Sequence, residues 1–211
     1  MINLEEVSYY YKKDQMIIEN LNLSVKEGEI ISIIGKNGAG KSTILNLMAG
    51  MINPKKGSVL VDGINTKSKK DFLLIRKKVG IVFQNPENQI LFPNVYEDLE
   101  FALKNLNLDD HKTRIENALN VVDMGEYIDK DTYDLSLGQK QRINIASILA
   151  MNPKYLLFDE PTTMIDSKEK QNIYNCFLRL KKQGYTIVFV TNNVNEILLS
   201  DKILVVEDKR Y

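Results

Sequence analysis

Gly35-Lys36-Asn37-Gly38-Ala39-Gly40-Lys41-Ser42 spaces its glycines ahead of a Lys-Ser pair in the pattern G-x-x-x-x-G-K-[ST]. The glycines let backbone N–H groups curl around phosphate oxygens, and a helix starting at this point adds a partial positive charge. Within the run, Gly35, Asn37, Gly38, Ala39 and Gly40 would form the cradle wall. Lys41 would reach the β and γ phosphates, Ser42 would ligate Mg²⁺, and Thr43 follows at the helix start. A second chemical signal is Asp159-Glu160 after Tyr155-Leu156-Leu157-Phe158. An apolar run that delivers two carboxylates to a strand end places them where open α/β sheets bind ligands. Asp159 suits a Mg²⁺ shell, and Glu160 is placed to polarise an attacking water as general base. Standing alone, such an Asp-Glu pair is equally a solvated turn; beside the cradle it gains a partner.

Both signals need strands to carry them. Ile30–Ile34, Val79–Phe83, Tyr155–Phe158, Thr186–Val190 and Ile203–Val206 are short apolar runs, apolar on both faces, as in a parallel sheet covered by helices on each side. Ile115, Ala118, Leu119 and Val122, and again Ile173, Cys176, Phe177 and Leu180, recur at helical spacing and predict buried helix stripes. This is an α/β pattern with a mainly parallel sheet. Residues 1–29 and 57–63 alternate over shorter lengths, with turns at Glu27-Gly28 and Asp62-Gly63, and predict an antiparallel β lobe. From about Asn85 to Leu149 the pattern is helical. The expectation is one domain of 211 residues, with core and β lobe in about 1–84 and 150–211 and a helical lobe in about 85–149.

Composition narrows the function classes. Lys plus Arg and Asp plus Glu both number 28, for zero formal charge, which argues against holding nucleic acid by bulk charge. One cysteine, Cys176, excludes an internal disulfide and reads as core. The opening residues hold no apolar leader and no apolar run is long enough to span a bilayer. A soluble, cytosolic chain is expected, with any membrane role exercised through a partner.

The ordered set Tyr11, the cradle at 35–43, Gln84, Leu135-Ser136-Leu137-Gly138-Gln139, Asp159-Glu160 and Asp166 resembles the nucleotide-binding subunits of ABC transporters over essentially the whole chain. The resemblance implies an ABC ATPase fold, ATP and Mg²⁺ as ligands, and two ATP molecules sandwiched in a head-to-tail dimer. It implies that Tyr11 stacks on adenine, with Tyr9 or Tyr10 as substitutes; by type alone Tyr11 is equally a strand-face residue. It further implies that Ser136, Gly138 and Gln139 face ATP held by a second subunit. Taken alone, Ser136 fits a plain helix N-cap as well. Gln84 would link Mg²⁺ and water to the helical lobe, and Asp166 would sit in a loop crossing the dimer interface. Phe83-Gln84-Asn85-Pro86-Glu87-Asn88-Gln89 looks like the ATPases of energy-coupling-factor (ECF) importers, which take up vitamins or transition-metal ions such as cobalt and nickel. That implies transmembrane subunits and a second ABC ATPase as partners, in a heterodimer or a homodimer, at the cytoplasmic face of the membrane as a peripheral subunit, with no nucleic acid.

Three positions depart from the family pattern. Asn192 stands where a γ-phosphate-binding His is usual, and its amide donates without carrying charge. Leu137 stands where Gly is usual, adding bulk and preventing a positive φ. The sequence runs to Tyr211 just after the last expected strand, so the C-terminal extension that ECF ATPases often use for dimer contact is not expected. Together these imply slowed or asymmetric hydrolysis, in a subunit that pairs with a more orthodox ATPase and supplies one weak site. The alternatives are a soluble ABC-type ATPase and a regulatory subunit that binds ATP without turning it over. The only histidine, His111, reads as a solvated helix start. Lys67, Lys69, Lys70, Arg76, Lys77 and Lys78 read as a solvated basic face or a lipid or nucleic-acid contact. Phe92, Pro93, Val95, Tyr96 and Leu99 fit a docking surface for a membrane helix and ordinary helical-lobe packing alike.

Overall fold

The computed structural model describes residues 1–12 and 15–207; Tyr211 lies outside them. Among the described residues nine strands form two sheets. β1 (Ile2–Lys12), β2 (Gln15–Val25), β4 (Lys56–Val61) and β5 (Ile64–Asn65) make an antiparallel sheet in the order β2-β1-β4-β5. β3 (Ile30–Gly35), β6 (Val79–Val82), β7 (Tyr155–Asp159), β8 (Thr186–Val190) and β9 (Lys202–Val206) make a parallel sheet in the order β6-β7-β8-β3-β9.

The apolar strands divide their side chains between two cores, as a period of two requires. Ile31, Ile33, Leu157, Val188 and Val190 point to one core, where α1 (Lys41–Met48) lies between the two sheets with Ile44, Leu45, Leu47 and Met48 buried. Ile30, Leu156, Phe158, Ile187 and Phe189 point to the other, against α5 (Leu137–Ala150) and α6 (Ser167–Lys182). There Phe158, Phe177 and Phe189 interlock with ring centroids 4.9–5.3 Å apart, each contact contributing about 0.5–1.5 kcal/mol beyond area burial. The stripe on α6 is buried as its spacing predicts, and burial pushes the Cys176 thiol up to about 12.

Among the described residues between β6 and β7, helices and turns carry the chain: α3 (Val95–Asn105), α4 (His111–Val121) and α5, with one isolated bridge, Asn94 to Asp131. Ile115, Ala118, Leu119 and Val122 are buried there, and so are Val95 and Leu99, so those last two pack the helical region and form no docking surface. His111 opens α4 but is not simply solvated; its ring lies against Glu100 on α3, at 3.2 Å, and the Leu108 carbonyl, at 2.6 Å. Among the described residues the other α-helices are α2 (Phe72–Lys78) and the single turn α7 (Val194–Ile197).

One strand departs from expectation. β9 is apolar on both faces in sequence, yet Ile203 and Val205 are half exposed, because β9 is an edge strand that, among the described residues, no helix covers on that side. Phe83 falls just outside β6, where the chain turns away toward Gln84.

Candidate active site

The parallel register aligns the strand ends that carry the chemistry. Asp159 stands opposite Val190, the Glu160 N–H donates to the Val190 carbonyl at 2.8 Å, and the Thr191 N–H donates to the Ile33 carbonyl at 3.1 Å. The carboxyl ends of β7, β8 and β3 therefore open on one place.

The cradle runs from Gly35, at the end of β3, to Gly40, the N-cap of α1. Gly38 and Gly40 have φ of 80° and 102°, values that L side chains adopt only under strain. A Cβ on Gly40 would also lie 2.9 Å from Ile17 Cγ2. Lys41 is buried, and its Nζ donates to the Gly35 and Lys36 carbonyls at 2.8 and 3.1 Å, which arches the ammonium over the loop. A cavity of about 240 Å³ lies beside the loop, lined by Ile17, Lys36, Asn37, Gly38 and Ala39 among others.

Two pairs join the distant motifs. Ser42 Oγ donates to Asp159 Oδ1 at 2.9 Å, and Gln84 Nε2 donates to Glu160 Oε2 at 3.1 Å. Burial pushes the Asp159 carboxyl above its ordinary value; the Ser42 bond opposes this, the neighbouring Glu160 charge adds to it, and Lys41 opposes it. A hydroxyl, a carboxylate and an amide carbonyl are the hard oxygen donors that Mg²⁺ takes, so Ser42, Asp159 and Gln84 fit that ion by chemistry. Glu160 has φ of 44°, the kind of strained backbone found at functional turns. Thr163 Oγ1 also donates to Glu160 Oε2, at 3.3 Å, a contact that the sequence reading missed because only the Asp-Glu pair carried a spacing signal. Asn192 joins the group: its Oδ1 accepts from the Gly35 N–H at 3.3 Å.

Of the three tyrosines, Tyr9 is buried in the core, whereas Tyr11 is 61% exposed with its hydroxyl 3.4 Å from Thr43 Oγ1. Tyr11 thus borders the cradle and stands edge-on to Tyr9, centroids 5.0 Å apart.

Residues 136–139 lie elsewhere. Among the described residues no hydrogen bond joins them to the cradle; they open α5. Ser136 caps that helix through the Gln139 N–H, while Gln139 Oε1 accepts from the Ser136 N–H and its Nε2 donates to the Tyr127 hydroxyl at 3.0 Å. Leu137 is the first helical residue, so the positive φ expected to be denied to it is not called for; what it adds is an exposed side chain. Gly138 is buried, and a Cβ there would lie 2.3 Å from Glu169 Cβ. Asp166 caps α6, accepting from the Lys168 and Glu169 N–H groups at 3.0 and 3.1 Å.

Comparison with known proteins identifies the family. Residues 18–163 match the profile of the ABC transporter family. The chain is 44% identical over 210 residues to the energy-coupling factor transporter ATP-binding protein EcfA1 of Fusobacterium nucleatum subsp. nucleatum, covering 99% of this chain and 79% of that protein. Among solved structures it is similar to cbiO1 from Clostridium perfringens, part of the ABC transporter complex cbiONQ, with TM-score 0.89, 34% identity, and coverage of 99% of this chain and 85% of that one. It is also similar to the ATP-binding cassette MJ0796, solved as a dimer in a post-hydrolysis state with ADP and Pi, with TM-score 0.86, 31% identity and coverage of 99% and 95%. Matched by the family profile over residues 18–163 and by a relative 44% identical across 99% of its length, this chain belongs to the ABC transporter family.

Proposed function

We propose that this chain is the ATP-binding and hydrolysing subunit of an ECF-type membrane importer, driving uptake of a vitamin or a transition-metal ion. The observation that carries the reading is the convergence of Ser42–Asp159 and Gln84–Glu160 on one cradle, at 2.9 and 3.1 Å. The reaction is phosphoryl transfer to water, in which positioning and charge stabilisation do most of the catalysis. Lys41, Thr43 and the N–H groups of 35–43 hold the phosphates, and Tyr11 stacks on the base. Glu160, oriented by Gln84 and Thr163, accepts the proton of the attacking water. Ser42, Asp159 and Gln84 would hold Mg²⁺, which when bound neutralises charge on the β and γ phosphates. Asn192 faces the γ phosphate with a neutral amide.

The second half of each site comes from another ATPase subunit, whose counterparts of Ser136, Gly138 and Gln139 close over the ATP. Residues 85–149 form the lobe that passes motion to transmembrane subunits at the cytoplasmic face. Membrane docking falls to an apolar groove of about 410 Å³ lined by Met51, Phe72, Leu73, Leu91 and Phe101, with α2 on one side and α3 on the other.

ATP turnover and equilibrium ATP binding test the reading together. Glu160→Gln is expected to lower kcat by about 10²-fold or more while ATP still binds. Unchanged turnover in that variant would remove Glu160 from the mechanism. Asn192→His is expected to raise kcat, since losing a well-placed donor typically costs about 10²–10³ and the amide recovers only part. Binding without turnover in both the natural chain and Asn192→His would favour a regulatory subunit, the second reading that Asn192 supports.

A further inference from the structure

We infer that Gln141 is a positioning residue for hydrolysis, the joint through which α5 sets the Gln84–Glu160 pair; this rests on the function proposed above. Gln141 lies on α5, fully buried. Its single amide nitrogen donates to two carbonyls, Phe83 O at 3.1 Å and Pro161 O at 3.0 Å. Phe83 precedes Gln84 and Pro161 follows Glu160, so one NH₂ group spans the two loops whose adjacent residues meet at 3.1 Å.

Other side chains of α5 hold only one of these loops. Asn144 Nδ2 donates to the Pro86 carbonyl at 2.9 Å, and Lys140 pairs with Glu87 at 3.0 Å, both on the Gln84 side. On the other side, the Glu160 N–H is tied to the sheet at Val190. Among the described residues Gln141 is the α5 side chain bonded to both loops. A shift of α5 relative to the sheet would therefore strain the Phe83 and Pro161 bonds first and change the reach of Gln84 toward Glu160. Gln141 Oε1 meanwhile is buried with no hydrogen-bond partner among the described residues. A residue present only to fill the interior has no use for an unpaired buried acceptor, because an apolar side chain of the same size avoids that cost. The amide is retained for its two donated bonds.

The test is a double-mutant cycle on the full chain, reading kcat, KM and equilibrium ATP binding. Gln141→Met keeps the side-chain length and removes the donors. It is expected to lower kcat about 10-fold or more, with ATP affinity unchanged because the cradle does not touch Gln141. In a Gln84→Ala background the same substitution is expected to change kcat by less than about twofold, since residues acting through one another are not additive. A full multiplicative loss in that background, or wild-type turnover in Gln141→Met alone, would overturn the inference. Should Gln141→Met fail to fold by thermal melting, Gln141→Asn replaces it. Its shorter amide reaches one carbonyl at most, so a partial loss with the same non-additivity is expected, and wild-type turnover again overturns the idea. If instead Glu160→Gln and Gln84→Ala leave turnover untouched, the hydrolytic reading itself fails and this inference falls with it.

Discussion

At the scale of single residues, the cradle distinguishes two glycines that a motif treats alike. Gly38 and Gly40 both have positive φ, but a Cβ at Gly38 meets nothing within 4 Å, whereas at Gly40 it would press on Ile17 at 2.9 Å. The left-handed conformation alone costs an L residue about 1–2 kcal/mol. Gly40→Ala adds a steric clash to that cost and displaces the start of α1, where the anion-binding N–H groups lie. We expect Gly40→Ala to lower Tm more than Gly38→Ala does; thermal melts that rank them the other way would show Ile17 yields freely. Leu137 is the converse case. It occupies an ordinary helical position, so whatever it alters is the surface presented at the start of α5, not the backbone.

At the scale of elements, short segments behind the site hold the reacting groups by buried hydrogen bonds. α7 brings Glu196 into the interior, where its Oε1 accepts from Thr162 Oγ1 at 2.6 Å. Asn193, the N-cap of α7, donates to Thr162 Oγ1 at 3.3 Å and to the Tyr174 hydroxyl at 2.5 Å. The segment after Glu160 is thus tied to the segment after Asn192. Burial pushes the Glu196 carboxyl above its ordinary value, and the Thr162 and Thr191 hydroxyls only partly oppose this. A carboxyl raised in the folded state contributes stability that is complete below the ordinary Glu range and is lost as pH rises through the folded value. Glu196→Gln, neutral at every pH, is expected to have a higher Tm than the natural chain near pH 8, with the difference vanishing near pH 4.5. A difference independent of pH would mean the carboxyl does not titrate in the fold. α5 and α6 are joined by an ion pair, Arg142 to Glu169 at 3.0 Å.

For the whole molecule, two surfaces matter: the cradle side and the apolar groove. Among the described residues no helix is long and apolar enough to cross a membrane; in the function proposed above, coupling to transport runs through contact with another chain. Phe72, Leu73 and Leu91 are roughly half to two-thirds exposed along the groove, and Arg76 stacks on Phe72 with its guanidinium carbon 4.9 Å from the ring centre. Central apolar anchors of an interface are typically worth about 2 kcal/mol or more. Leu73→Asp with Leu91→Asp is therefore expected to abolish recovery of integral membrane subunits in mild-detergent affinity purification while leaving ATP binding intact. Undiminished recovery would move the docking surface elsewhere.

Much of this was legible in the sequence because it is local. Five apolar runs, two helical stripes, the turns at Glu27-Gly28 and Asp62-Gly63 and the cradle all depend on residues within a few positions of one another. Backbone conformation and side-chain period are set over that range. The sequence assigns Ser42 and Asp159 each to a Mg²⁺ shell; that the two side chains meet directly, at 2.9 Å, is read from the structure. Other features were decided only by tertiary structure. Tyr11, not Tyr9, borders the cradle: the two share one face of β1, but Tyr9 lies under the packed core while Tyr11, near the end of the strand, is exposed beside Thr43. Val95 and Leu99 turn inward while Phe72, Leu73 and Leu91 line the groove, and β9 leaves one face uncovered because it is an edge strand. Gln141 meets carbonyls 58 and 20 positions away. No periodicity records such contacts, because they depend on where α5 comes to rest against two loops, and that is decided by the packing of the whole core.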